Sequence, residues 1–121
     1  MNVLRELIKV TEYFSPIIIG EVNDTYIKLA KIKGEKVPWH QHENEDELFY
    51  ILEGNLLMEI ENETPFIMKK GDLFTAKKGV NHRVSSIKEC SIMLIENKST
   101  LHTGKIKSEI TKSIRLQLGD K

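Results

Sequence analysis

The chain predicts a mainly β fold, a small sandwich or barrel preceded by one short helix. Three observations carry this. From Pro16 onward, short apolar or alternating runs follow one another, clusters of Gly, Asn, Asp and Glu separate them, and helical spacing occurs convincingly only before Pro16. Strands this short, at intervals of roughly 8–12 residues, belong to sandwiches and small barrels.

The first element spans 2–14. Leu4, Leu7, Ile8, Thr11 and Phe14 fall at helical spacing with charges on the other side, and Pro16 ends the pattern. The strands then read, in order, PIIIGEV, TYIKLAKIKG, KVPWHQ, ELFYILEG, NLLMEIEN, PFIMKKG, DLFTAK, HRVSSI and CSIMLIEN. They place the core barrel at about 17–97. The polar segment 98–121 reads as an extension on the outside, and 1–121 as a single domain.

Composition narrows the function. Acidic and basic residues balance at 18 each, so no basic field draws nucleic acid, and few aromatic residues offer a stacking platform for bases. Charged residues interrupt the N-terminal segment, which reads as neither a secretory signal nor a membrane span. The single cysteine, Cys90, fits a reducing compartment, and the expected location is the cytoplasm. Cys90 reads as a packed thiol.

The chemistry concentrates in GEKVPWHQHENEDELFYILEG, Gly34 to Gly54. Alternate residues of a strand share a face, so His40 and His42 point the same way if VPWHQH is extended. The acidic run makes a turn, in which Glu43, Glu45 and Asp46 face water. On the return strand Glu47, Phe49 and Ile51 share one face, and Leu48, Tyr50 and Leu52 the other. Glu47 is then placed across the ladder from the two imidazoles. In GDLFTAKKGVNHRVSS, His82 follows the glycine turn at Gly79 as a strand histidine. Three imidazoles and a carboxylate suit one divalent transition metal (Fe, Mn, Ni, Zn, Co or Cu), with positions open for water or substrate. The fourth histidine, His102, lies in a polar loop and is left out of the set.

These residues resemble the cupin superfamily. Gly34, His40, His42, Glu47 and Gly54 meet the first cupin motif, G-x5-H-x-H-x(3,4)-E-x6-G, at every spacing. Gly71, Gly79 and His82 meet the second, G-x5-P-x-G-x2-H-x3-N, with Lys77 in place of the proline and Ser86 in place of the asparagine. SPIIIGEVND and HTGKIKSEIT extend the likeness to small single-domain bacterial and archaeal cupins, a group often labelled mannose-6-phosphate isomerase-like. The resemblance implies a double-stranded β-helix, the jelly-roll barrel, with the four ligands inside it. It leaves the substrate open.

Strand parity gives Phe49, Ile51, Met58, Ile60, Val84 and Ser86 as the pocket lining. A mostly apolar mouth favours a small organic molecule with one metal-binding head, such as a diketone, enediol or carboxylate. Glu47 is the only ionisable group expected near the metal. Three functions from different classes follow: an oxygenase-type metal-dependent enzyme, a sugar-phosphate isomerase-like enzyme, or a non-catalytic module that binds a metabolite or metal. The pairs Lys69–Lys70 and Lys77–Lys78 read as a solvated rim. Trp39, of opposite parity to the histidines, is expected on the outer sheet face or against a partner subunit. Leu48, Tyr50 and Leu52 need cover, which predicts a homodimer.

Overall fold

The computed structural model describes residues 1–100 and Gln117, so the expected C-terminal extension and His102 lie, from 101 onward and Gln117 apart, outside the described residues. The chain begins with helix α1 (Val3–Glu6), capped where the Asn2 side chain accepts from the Arg5 amide at 3.1 Å. A 3-10 turn, Leu7–Lys9, prolongs it. The helix is shorter than its apolar spacing predicts. Val10 is already extended, and Phe14 sits in the left-handed region at φ 56°. Leu4 and Ile8 face solvent, Leu7 and Val10 pack on Leu29, and Phe14 instead enters the barrel core. Burying a phenylalanine contributes about 1.5–3 kcal/mol, which offsets a left-handed residue's cost of about 1–2 kcal/mol.

Seven strands follow: β1 (Ile17–Val22), β2 (Thr25–Gly34), β3 (Glu47–Glu53), β4 (Leu56–Ile60), β5 (Phe66–Met68), β6 (Leu73–Ala76) and β7 (His82–Asn97). All pairings are antiparallel. The large sheet runs β1-β2-β7-β3-β6, and β4 joins β5 to the first part of β7. This is a mainly β barrel with a short N-terminal helix. Among the described residues no helix is long and apolar enough to cross a membrane.

Strand β7 joins the two halves. HRVSSI and CSIMLIEN, expected as separate strands, form one element of 16 residues. Straight, it would run about 50 Å, too long for a compact domain of this size. It bends at Ile87, Lys88 and Glu89, all exposed, where its register with β2 shifts between Ile32↔Cys90 and Gly34↔Ser86. The arm 82–85 pairs with β4, and the arm from Cys90 onward lies between β2 and β3. Gly54 packs on the bend. A Cβ there would stand 2.6 Å from the Glu89 carbonyl oxygen, and its φ is 83°. Only glycine fits both conditions.

Inside, Ile51, Leu56, Met58 and Ile92 are almost fully buried. A second cluster lies on the outer face, where Leu52 and Met93 join Leu7, Val10 and Leu29. Leu52, expected to await a partner, is thus packed by its own N-terminal segment.

The histidine-bearing segment differs from the expected hairpin. Residues 35–46 form no strand, and only His40 makes a bridge, to His82. Pro38 has no N–H to give to a ladder. Glu47 therefore lies opposite Ala76 and Glu96, not opposite the histidines.

Candidate metal centre

The His40–His82 bridge is closed by His40 N–H donating to the His82 carbonyl at 3.0 Å and His82 N–H to the His40 carbonyl at 2.9 Å. His42 is tied to the second glycine turn, where Gly79 N–H donates to its carbonyl at 2.8 Å; Gly79 has φ 78°. Glu47 enters as the first residue of β3. The structure thereby brings together all four expected ligands. His40, His42, Glu47 and His82 are buried, and each offers a donor atom within 4.8 Å of the others.

Two imidazoles are fixed in the same way. His40 Nδ1 lies 2.8 Å from the Pro38 carbonyl, and His82 Nδ1 lies 3.0 Å from that of Val80. A carbonyl only accepts, so Nδ1 carries the proton, and Nε2 of the neutral ring is left as a lone pair. Glu47 Oε1 stands 3.4 Å from both His42 Nε2 and His82 Nε2. That is the separation of two donors each about 2.1 Å from a common centre. Neither ring nitrogen of buried His42 has a hydrogen-bond partner. Buried polar atoms normally find one. A lone-pair cluster facing a carboxylate is completed by a cation, and the donor set fits a transition metal.

The proton affinities reflect the same crowding. Burial lowers His40 to about 4, against the opposing pull of the Pro38 carbonyl, so its ring is neutral at pH 7. Burial works to raise Glu47, but the His42, His82 and Glu96 side chains beside it hold its carboxyl well below the usual carboxylate range. Burial works to lower His82, yet its bond to Glu47 and that carboxylate's charge carry it above 6.5.

Two residues of this region were not anticipated, and they correct the expectation that Glu47 is its only ionisable group. Lys28 of β2 and Glu96 of β7 form an ion pair of 2.6 Å, each about as buried as a core leucine. Glu96 lies directly opposite Glu47 in the β3–β7 ladder. Burial first, then the charge of Glu47, raise the Glu96 carboxyl well above its usual range, against the pull of Lys28. Parity was the available signal, since Lys28 shares a face with Ala30 and Ile32, and Glu96 with Ile92 and Leu94. It was ambiguous because Leu29 and Met93, of opposite parity, are apolar too.

Of the residues expected to line the pocket, Phe49 meets His82 edge-on at 6.1 Å. Ile51, Met58, Ile60 and Val84 belong to the adjoining core. Ser86 donates to the Asn55 carbonyl at 3.0 Å and contacts that of Lys88. It lines a separate cavity of about 730 Å³ with Gly54, Leu57 and Ile67. Asp46 accepts from the Lys78 amide at 2.9 Å and so pins the acidic turn to the second glycine turn. Trp39 packs under the Arg83 guanidinium, 4.7 Å from the ring centre, and Arg83 pairs with Glu59 at 2.6 Å. Cys90 is fully buried, and burial raises its thiol to about 11.

Residues 31–96 match the family described as Cupin domain. The uncharacterized protein YdbB of Bacillus subtilis is 35% identical over 97 residues, which cover 80% of this chain and 85% of YdbB. A cupin-2 domain containing protein from Shewanella frigidimarina has the same fold, with a TM-score of 0.76 at 33% identity, over 80% of this chain and 93% of its own. Protein NMB1881 from Neisseria meningitidis gives 0.73 at 28% identity, over 80% and 97%.

Proposed function

The chain belongs to the cupin family, and on that footing we propose that it is a metal-dependent enzyme of oxygenase type acting on a small organic molecule. In this reading His40, His42, Glu47 and His82 hold one divalent transition metal. The observation that carries it is the meeting of four buried donors within 4.8 Å, two of them imidazoles whose Nδ1 is already committed to a carbonyl.

The metal, when bound, supplies Lewis acidity and, if redox-active, a site for oxygen. The chain supplies the rest. The Pro38 and Val80 carbonyls keep two Nε2 lone pairs aimed inward. Glu47 offsets one positive charge. Phe49 beside His82 limits water around the ligands. Lys28 is the only buried Lys or Arg among the described residues, and Glu96 engages it. That leaves no buried Lys or Arg among the described residues free for a phosphate, which weighs against a sugar-phosphate substrate and for an uncharged or carboxylate head on the metal.

The reading extends to a cytoplasmic homodimer in which a second copy covers half-buried Leu48 and Tyr50. Sedimentation at micromolar concentration should give twice the monomer mass. For the site, the deciding comparison is metal content in His82→Ala against His102→Ala, purified identically without chelators. Loss in the first alone is expected. Equal metal content in both would overturn the ligand set. Oxygen uptake with candidate diketones, enediols and carboxylates then tests the reaction class. Turnover without oxygen would point to isomerase-type chemistry, and tight binding without turnover to a non-catalytic module.

A further inference from the structure

Lys28, Glu96 and Glu47 form a row across three neighbouring strands, β2, β7 and β3. Lys28 lies opposite Leu94, diagonal to Glu96, and Glu96 lies directly opposite Glu47. All three side chains are buried, at 1%, 3% and 4% exposure. Glu96 Oε1 takes Lys28 Nζ at 2.6 Å. The other oxygen, Oε2, has no hydrogen-bond partner among the described residues, and Glu96 stands directly across the ladder from Glu47.

This arrangement is a poor way to stabilise a barrel. Two carboxyls directly opposite in a ladder repel when both are charged. A buried ion pair is matched or bettered in stability by apolar side chains of the same volume. The charged row stands only where β7 passes the start of β3, beside the residue whose Oε1 faces His42 and His82.

We propose that Lys28 and Glu96 are positioning residues for Glu47. Lys28 fixes the Glu96 carboxyl, and that carboxyl backs Glu47 from directly across the ladder, so that Oε1 stays turned to the histidines. Partners of this kind behind a ligating carboxylate typically change metal affinity about 10–100-fold when removed. The inference rests on the metal reading above and adds to it the device that aims the one carboxylate ligand.

The test uses the full chain, stripped of metal and titrated with Co(II). Three things are read: the dissociation constant, the visible ligand-field spectrum and the thermal midpoint. Lys28→Met with Glu96→Leu removes the charged pair together and keeps the volume. It should melt close to the native chain, bind cobalt about 10–100-fold more weakly, and show an altered band pattern. Lys28→Met with Glu96→Gln returns a group able to donate to Glu47, and should recover native affinity to within about threefold. Glu96→Asp keeps the charge and retracts the carboxyl by one methylene. It should also weaken binding and shift the bands, and it decides the matter if the first variant does not fold. Native affinity and spectrum in the Leu variant, or in Glu96→Asp, would overturn the proposal. A Gln variant as weak as the Leu variant would do the same, because volume or charge would then carry the effect. A native chain that takes up no cobalt would overturn the metal reading together with this one.

Discussion

Along the long arm of β7, Cys90 and Ile92 meet the apolar core, whereas Glu96, further along the same face, meets Lys28 and Glu47. One strand thus serves two interiors that are equally dry. The apolar end needs nothing added, because removing hydrocarbon from water is favourable wherever it happens. The polar end holds two carboxyls, a lysine and three imidazoles, and each must be matched by a partner of its own. His42, whose ring nitrogens make no hydrogen bond and whose Nε2 only faces Glu47 at 3.4 Å, shows where the matching is incomplete. The contrast teaches that stability and ligation are separable along this barrel, and substitutions at the two ends should separate them.

The largest effect is expected at Glu47→Ala. Metal content should fall from about one ion per chain to near zero, measured by elemental analysis, with the far-ultraviolet spectrum unchanged. At the other end, Leu56→Ala should cost about 2–5 kcal/mol in urea unfolding while metal content stays native. Leu56 is fully buried, so the cavity has nothing to fill it. If Leu56→Ala lowered metal content as much as Glu47→Ala, the two ends would not be independent.

Gly54→Ala should cost about 1–3 kcal/mol, from a left-handed φ and a Cβ pressed on the Glu89 carbonyl. The next expectation is a pH dependence. His82 is raised above 6.5, so the metal-free chain increasingly carries a proton there as pH falls, and an incoming ion must displace it. Affinity should therefore fall as pH drops through the raised value of His82, approaching about tenfold per pH unit for one displaced proton. His40, at about 4, adds a second proton only near that pH, where the slope should steepen. Cobalt titrations between pH 7.5 and 5 would check the first part, and a flat profile would exclude His82 as a ligand. The smallest effect is expected at Ile87→Ser, on the exposed bend, where unfolding should change by less than about 0.5 kcal/mol.

The four donors were legible because their spacing depends on local chain geometry. A residue between His40 and His42, and a glycine turn before His82, are written in the sequence itself. The reason first given for their meeting was only partly right. Glu47 reaches the histidines from a strand that pairs with β6 and β7, while His40 bridges His82 directly. Inside and outside were readable on β3, where Glu47, Phe49 and Ile51 alternate with half-buried residues. They were unreadable on β2, whose two faces are both covered, so a buried Lys28 looked like any other strand lysine. The early end of the helix was hidden because Phe14 fits an amphipathic stripe as well as it fits the barrel.

The bend in β7 has a mechanical consequence. Its first residue, His82, faces Glu47 at 3.4 Å, and its penultimate residue, Glu96, lies across the ladder from the same carboxylate. The strand is a pair of tongs with Glu47 between the tips, and its pivot is the exposed turn of Ile87 to Glu89. Gly54 is braced against that pivot, where a Cβ would meet the Glu89 carbonyl oxygen at 2.6 Å. A bulkier residue there would press on the hinge between the two tips.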